Sequence, residues 1–194
     1  MNKLMEMTLE ELWDLFPVII KPYSPDYKDW YEIEKKNLLL LAGKASVFRI
    51  NHIGSTSVEG LDAKPTVDIL MEIKSGGDFE NLTGLLEAKG WLLMSRDMDS
   101  CKKYVFNKGY TPKGFAERVY HLHLREAGDW DELYFRDYLK RHKETLEAYG
   151  SLKHRLQELY EHDRDGYTKA KTDFVMFYTK QARLETPGKY KPEE

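Results

Sequence analysis

Residues 66–73, TVDILMEI, constrain the fold of this chain more than any other segment. Successive side chains of a β-strand point to opposite faces, and one face here is wholly apolar, with Val67, Ile69, Met71 and Ile73. That face must lie on a hydrophobic core. The opposite face carries Asp68 near the middle of the strand. Because an unpaired buried carboxylate is costly, we expect Asp68 to meet a metal ion, a cationic side chain or a solvated cleft.

The other segments predict strands and helices in one α+β domain. Strands are expected at 18–20, 46–53, 91–95, 101–107 and 118–126, where β-branched and aromatic residues alternate or cluster. Helices are expected after the capping box of Thr8 and Glu11, after Pro25 and after Asp78. From Asp129 onward the pattern is helical, with a break near Arg141 or Gly150 and a last helix from Asp165. We predict three regions: an N-terminal helical extension (1–17), one domain (18–185) and a flexible tail (186–194).

A hydroxyl-rich turn follows the predicted strand 46–53. It contains Gly54, Ser55, Thr56 and Ser57, and Lys64 comes shortly after it. Successive backbone N–H groups in such a turn can converge on a phosphate, with the hydroxyls and a lysine as further donors. The spacing is not that of a P-loop. The alternative is a tight turn whose hydroxyls bond their own backbone.

Two histidines share one face of the strand 118–126. His121 and His123 lie on the face opposite Tyr120, Leu122 and Leu124, with their Cα atoms about 7 Å apart. They can hold one metal ion or flank one anion. If this strand neighbours that of Asp68, the three side chains form a mixed site that favours zinc or manganese over magnesium. The alternative is a pair of structural histidines.

Two helical cations are weaker candidates for phosphate contacts. Arg136 can hold a phosphate through two parallel hydrogen bonds if it faces a cleft. Lys171 shares a helical side with Tyr167 and Phe174 and can direct its charge into a pocket. Each has an ordinary alternative: a solvated helix face for Arg136, and an aliphatic stem covering the core for Lys171.

Composition excludes some classes of protein. A net charge of -3 argues against general nucleic-acid binding, which favours a basic domain. Cys101 is the only cysteine, so no disulfide forms within the chain and a cytoplasmic location is expected. The N-terminus lacks the apolar stretch of a signal peptide, and no apolar run approaches the roughly 20 residues that span a bilayer. We therefore expect no membrane association; the oligomeric state stays open.

Taken together, HIGSTSVEGL, KPTVDILMEI, YHLHL and FRDYL resemble the motifs of the GrpB family, and the resemblance runs from about Val18 through the last helix. It implies a nucleotidyltransferase-like mixed β-sheet flanked by helices, with further C-terminal helices. In that scheme Gly54 and Ser55 match the turn that holds a triphosphate, and Asp68 matches the first metal-binding acid. His52, Thr56, Lys64, Arg136, Asp137 and Tyr138 match positions typical of the family.

One departure from the scheme bears on activity. Leu70 stands where an active transferase usually has its second metal-binding acid, and His121 or His123 falls near the third. Two-metal phosphoryl chemistry relies on acids that bind both ions. We therefore expect a nucleotide or phosphorylated small molecule as ligand, with nucleotidyl transfer assisted by magnesium, manganese or zinc held by Asp68, His121 and His123. The alternatives are a catalytically inactive nucleotide-binding or adaptor module, and a metal-dependent phosphohydrolase that uses the Asp–His cluster.

Overall fold

The computed structural model describes residues 3–97 and 102–192. These residues form five β-strands: β1 (Val47–Ile53), β2 (Thr66–Ile73), β3 (Leu92–Asp97), β4 (Lys103–Thr111) and β5 (Gly114–Glu126). They also form seven α-helices: α1 (Leu9–Leu15), α2 (Asp26–Ala42), α3 (Phe79–Glu87), α4 (Asp131–Arg141), α5 (Lys143–Tyr160), α6 (Arg164–Ala170) and α7 (Thr172–Glu185). Short 3-10 turns lie at Lys3–Glu6 and Ser55–Ser57.

The strands form one mixed sheet in the order β1-β2-β5-β4-β3. The central pair, β2 and β5, is parallel, and the other neighbouring strands are antiparallel. In the parallel register Asp68 lies beside His121, and Leu70 lies beside His123. The predicted adjacency of the acid strand and the histidine strand is therefore present.

One face of the sheet carries the main hydrophobic core. The apolar face of β2 packs there with Tyr120, Leu122 and Leu124 of β5, and with side chains of α2 and α3. Burying an aliphatic or aromatic side chain of this kind stabilises a fold by about 1.5–3 kcal/mol. The core therefore fixes which way β2 and β5 face, and it directs Asp68, His121 and His123 to the other side.

The C-terminal helices cover the second face of the sheet. Leu70 packs there with Ile53 and with Leu133 of α4 in a small apolar cluster. Another cluster joins Val58 and Leu61 to Leu139 and Tyr149 of α4 and α5. The second face is thus apolar where α4 lies on it and polar around Asp68. A cavity lies between this polar part of the sheet and the C-terminal helices.

Two predicted elements, the strand 18–20 and the single last helix, differ in the structure, while the helical break lies at one of its two predicted positions. Residues 18–20 are not a strand: the Val18 amide bonds the Glu161 carbonyl, and pairing is limited to one bridge of Lys21 with Ala63. The helical break falls after Arg141, at His142, while Gly150 continues α5. The last predicted helix is two, α6 and α7, which meet at Lys171. Cys101, predicted to begin β4, lies outside the described residues.

The described part of the tail, 186–192, is packed where a flexible segment is predicted. The Tyr190 ring lies 5.1 Å from that of Tyr134, edge to face, and its hydroxyl accepts from Arg136 at 3.2 Å. Lys189 pairs with Asp137 at 2.6 Å. These contacts attach the tail to α4. They cannot be predicted from the sequence of a short polar segment.

Within the described residues, no helix is long and apolar enough to cross a membrane.

Candidate functional site

Gly54 begins the turn after β1 in a backbone conformation that suits only glycine. Its φ is 68° and its ψ is -175°. A Cβ atom at this position would lie 2.2 Å from the Asp68 Oδ2 atom. The Asp68 carboxylate therefore lies directly against the Gly54 backbone, so the turn and the acid form one surface.

Replacing Gly54 with alanine is expected to destabilise the fold and displace Asp68. A non-glycine residue in this backbone region costs about 1–3 kcal/mol, which corresponds to a fall of roughly 2–12 °C in Tm for a chain of this size. Gly60→Ala is the matched control, because Gly60 also has a positive φ, 77°, but a Cβ added there would meet no non-adjacent atom of the described residues within 4 Å. Equal Tm losses in the two variants, measured by thermal unfolding, would show that the Asp68 contact is unimportant.

The hydroxyls of the turn serve different purposes. Ser57 Oγ donates to the Gly54 carbonyl at 2.6 Å, and Thr56 Oγ1 donates to the Thr66 carbonyl at 3.0 Å. Ser55 and Thr56 line the cavity, whereas the Ser57 side chain closes the turn itself. Ser55 is therefore the hydroxyl of the turn that lies at the cavity, where it bonds the Tyr149 hydroxyl.

His52 supports the turn from behind. Because the Thr56 hydroxyl proton goes to Thr66, His52 Nε2 must be the donor in its 3.0 Å bond to Thr56 Oγ1. The His52 ring stacks on that of Tyr31, with centroids 4.8 Å apart. Burial lowers the pKa of His52 to about 4. His52 is therefore a neutral support for the turn.

A directed chain of hydrogen bonds ends on Asp68. Arg164 Nη2 donates to the Tyr110 hydroxyl at 2.8 Å, and that hydroxyl lies 2.8 Å from His121 Nε2. His121 Nδ1 lies 3.2 Å from Asp68 Oδ1. Since Tyr110 accepts from Arg164, it can donate to Nε2, which leaves Nδ1–H to donate to Asp68. The chain holds His121 in one tautomer and engages both of its ring nitrogens.

Asp68 stays ionised in this arrangement. Burial would raise the pKa of Asp68, but the hydrogen bond from His121 and the charge of Lys64 hold it below its ordinary value. His123 Nε2 lies 4.0 Å from Asp68 Oδ1. His123 Nδ1 is buried and has no hydrogen-bond partner among the described residues, and burial lowers the pKa of His123.

A cavity of about 920 Å³ opens beside these groups. Its floor is the Gly54 turn and the polar face of β2 and β5, and its walls come from α4 to α7. The volume falls at the upper end of ligand pockets, which span roughly 300–1,000 Å³. Its apolar wall comprises Phe135, Leu139, Tyr149 and Val175. Its polar end contains four basic side chains: Lys64, Lys153, Arg164 and Lys171.

Aromatic rings and dipoles hold these four cations. Lys64 Nζ lies 5.2 Å from the centroid of the buried Tyr167 ring, and Lys171 Nζ lies 4.8 Å from the same centroid. Lys153, only 2% exposed, donates to the Asp62 carbonyl. Among residues 3–97 and 102–192, none of the four forms an ion pair with a carboxylate. Ring faces and neutral oxygens stabilise a buried cation less than an anion does.

Two arginines elsewhere on the cavity wall are paired, whereas Lys180, the other lining cation, is exposed to solvent. Arg183 bonds Asp129 at 2.7 Å. Arg136 bonds Asp137 at 2.8 Å, and its other donors go to Asn51, to the His52 carbonyl and to Tyr190. The Arg136 donors are thus engaged within the fold, which differs from the phosphate contact predicted for it. Unlike these two arginines, the four cations at the polar end, which we call the inner cations, form no ion pair within the described residues.

The other two family positions in α4 hold neighbouring segments in place. Bonds from Lys189, Tyr190 and Arg136 outweigh burial and lower the pKa of Asp137 to about 2. The Tyr138 ring stacks on that of His142, with centroids 3.8 Å apart, where α4 ends. The motif FRDYL therefore anchors the tail and the break between α4 and α5.

The donors around Asp68 do not fit the predicted metal ion. Asp68 Oδ1 accepts from His121, and His121 has no free nitrogen. Leu70 offers no donor, which leaves the exposed nitrogen of His123. In the described part of the chain, no group of three or more His, Cys, Asp and Glu side chains is arranged to hold a metal ion. A pair of ions about 4 Å apart needs shared carboxylates, and residues 3–97 and 102–192 place none beside Asp68 for this purpose.

Several residues of the site carry no signal in the sequence. Tyr110 belongs to β4, Lys153 to α5 and Arg164 to α6. In the sequence, Lys153 cannot be told apart from the other lysines of an amphipathic helix. Only the tertiary fold shows that it is buried. Lys64 and Lys171, predicted as phosphate contacts, lie at the polar end of the cavity with these residues.

Comparison with known proteins places the chain among a set of bacterial proteins. A family model described as GrpB protein matches residues 17–181. A UPF0157 protein from Pseudomonas aeruginosa is 38% identical over 127 residues, which are 65% of this chain and 52% of that protein. The glutamate-rich protein GrpB from Alkalihalophilus pseudofirmus is 35% identical over 162 residues, which are 81% of this chain and 91% of that protein.

A solved structure shares the fold. The crystal structure of conserved protein GrpB from Enterococcus faecalis superposes with a TM-score of 0.71 over 86% of this chain and 98% of that one, at 24% identity. The chain spans about half the length of the Pseudomonas relative, 52%. The predicted α+β class, with a mixed sheet, flanking helices and further C-terminal helices, is confirmed.

Proposed function

The chain belongs to the GrpB family, and from that starting point we propose that it binds a nucleotide or another phosphorylated small molecule in the cavity beside Asp68. One observation carries the proposal: four basic side chains, Lys64, Lys153, Arg164 and Lys171, line the cavity, and none of them forms an ion pair with a carboxylate of the described residues. Desolvated cations without an anion are unfavourable. An anionic ligand with several charges supplies the missing partner.

The two ends of the cavity suit the two parts of a nucleotide. The four cations and Ser55 lie at one end, where phosphates bind. The apolar wall, with Phe135 and Leu139, offers a surface against which a base can pack. An inorganic anion would fill only the polar end of a 920 Å³ cavity. The size and the mixed lining therefore favour a nucleotide over a small anion. A cytoplasmic location, which the lone Cys101 favours, would supply such ligands.

Binding and turnover are separate questions. If an acceptor hydroxyl is bound next to Asp68, the ionised carboxylate can receive its proton, while Arg164, Tyr110 and His121 hold that carboxylate in place by donating toward it. The acceptor oxygen would then attack the α-phosphorus as the bond to pyrophosphate breaks, and the proton would pass to Asp68. Pyrophosphate release that Asp68→Asn abolishes would support a nucleotidyltransferase. Binding without release would support an inactive nucleotide-binding module. The metal-dependent phosphohydrolase lacks a matching donor set.

Calorimetric titration of the whole chain with the four nucleoside triphosphates, their diphosphates and their nucleosides tests the proposal. We expect affinity to rise with the number of phosphates, because each adds charge near the four cations. The variant Lys143→Met should give the same affinities as the wild type across this series, since the side chain of this lysine is 88% exposed. The proposal fails if no nucleotide binds, or if nucleosides bind as tightly as triphosphates.

Ligand affinity is expected to fall as the pH rises above 7. Burial and neighbouring cations lower the pKa of Lys64 and of Lys153 to about 7, from an ordinary value of 10.5. An anion binds their protonated forms, so binding near pH 8 should take up roughly two protons, and below about pH 6 hardly any. Titrations in two buffers with different ionisation enthalpies measure this uptake. Uptake that survives Lys64→Met and Lys153→Met together would contradict the assignment.

The same shifts set the sign of the stability dependence without ligand. Between about pH 7 and pH 10 the unfolded chain binds more protons than the folded chain, because a lysine titrates near 10.4 when unfolded. The contribution of Lys64 and Lys153 to the free energy of unfolding should therefore rise with pH in this window. Measuring the free energy of unfolding against pH for the wild type and for the Lys64→Met, Lys153→Met double variant, and taking the difference, gives the contribution of the two lysines.

A further inference from the structure

Lys64 and Lys171 lie near the acid on which metal binding was predicted to depend, and Arg164 is linked to it by hydrogen bonds. The charge of Lys64 contributes to the low pKa of Asp68, and the Asp68 charge acts in turn on Lys171. Arg164 reaches Asp68 through Tyr110 and His121. One carboxylate thus serves several positive groups. A divalent cation at Asp68 would meet like charges on more than one side, which disfavours its binding.

The groups that could compensate this repulsion are already engaged. One oxygen of Asp68 accepts from His121, and the other lies against the Gly54 backbone. In the described part of the chain, two further cavity-lining carboxylates are paired: Glu132 bonds Arg125 at 2.6 Å, and Asp131 bonds Arg183 at 2.5 Å. The remaining one, Asp165, is exposed to solvent, so its charge is screened. The polar end therefore carries an excess of positive charge, where a magnesium-dependent transferase would place acids.

We propose that the cavity takes a polyphosphate as its metal-free anion, with Lys64, Lys153, Arg164 and Lys171 neutralising the phosphates in place of divalent cations. The inference rests on the proposed function and names the charge state of its ligand. Lysine and arginine are strong partners for phosphate oxygens. Four such groups at one end of one cavity can balance a triphosphate, which carries about four negative charges when fully ionised.

The proposal predicts an unusual sign for substitution at Asp68. If Asp68 held a metal ion, Asp68→Asn would weaken nucleotide binding. In a metal-free site the same change removes a negative charge from beside the phosphates, so binding should become several-fold tighter. Asparagine keeps the shape of the side chain against Gly54. Asp165→Asn is the matched control, because Asp165 also lines the cavity but is exposed at its edge, so a much smaller effect is expected.

The test compares the Kd of ATP in EDTA with its Kd in excess magnesium, for the wild-type chain and for Asp68→Asn. We expect the wild type to bind ATP roughly tenfold more tightly in EDTA than in excess magnesium, because magnesium cancels two charges of the ligand. Tighter binding with magnesium, lost in Asp68→Asn, would overturn this inference and leave the proposed function standing. No binding of ATP in either condition would overturn both.

Discussion

The variant with both Lys64→Met and Lys171→Met is expected to bind a nucleoside triphosphate roughly 100-fold more weakly than the wild type, or weaker still. Each charge-assisted hydrogen bond to a phosphate contributes about 1.5–3 kcal/mol, so losing two removes at least about 3 kcal/mol. Methionine preserves most of the aliphatic volume beside Tyr167. The free chain should unfold at the same temperature or higher, because two desolvated like charges have been removed.

Opposite effects on affinity and stability distinguish a ligand-binding role from a structural one. A lysine that merely supports the fold would lower both when replaced. The control is Lys143→Met with Lys169→Met, which removes the same charge from exposed positions and should change affinity by less than about threefold. Calorimetry and thermal unfolding on the same preparations measure both quantities. A variant that loses stability and keeps its affinity would contradict our account.

Arg49→Met is expected to cause the largest loss of stability in the protein. Glu72 is fully buried in β2, and Arg49 Nη2 bonds it at 2.8 Å from β1. Arg49 also donates to the carbonyls of Gly128 and Tyr190 at 2.9 and 3.2 Å. Removing one partner of a buried ion pair costs about 3–5 kcal/mol, because the other charge stays buried. Thermal unfolding should show a fall of roughly 6–20 °C in Tm.

The double variant Arg49→Met, Glu72→Gln supplies the control. It removes the stranded charge, and replacing both members of a buried pair is often close to neutral. The double variant should therefore recover much of the stability that the single variant loses. If the single and double variants unfold at the same temperature, the loss comes from the Arg49 contacts to the tail and not from Glu72.

The sheet could be predicted from the sequence because its faces are marked residue by residue. The apolar face of β2 and the alternation around His121 allow one orientation each, and burial enforces it. Since β2 and β5 are neighbours, Asp68 and the two histidines meet on the second face, as expected. Residues 18–20 failed as a strand because a short apolar run does not reveal its partner, which here is the end of α5.

The candidate site was predicted only in part, because its parts come from distant segments. Gly54, Lys64 and Asp68 lie close together in the chain, so one local motif predicts all three. Lys153 and Arg164 are drawn in by the packing of α5 and α6, which no local pattern encodes. The hydrogen bonds of Arg136 could not be predicted for the same reason. Its charge is visible in the sequence, but its partners, Asn51 and Tyr190, are 85 and 54 residues away.

The most direct test of the central claim is a crystal structure of the chain with a non-hydrolysable nucleoside triphosphate. Our account predicts phosphate oxygens within hydrogen-bonding distance of Lys64, Lys153, Arg164 and Lys171, with the base against the Phe135 wall. Phosphates bound elsewhere, with these four side chains still lacking an anion, would contradict it.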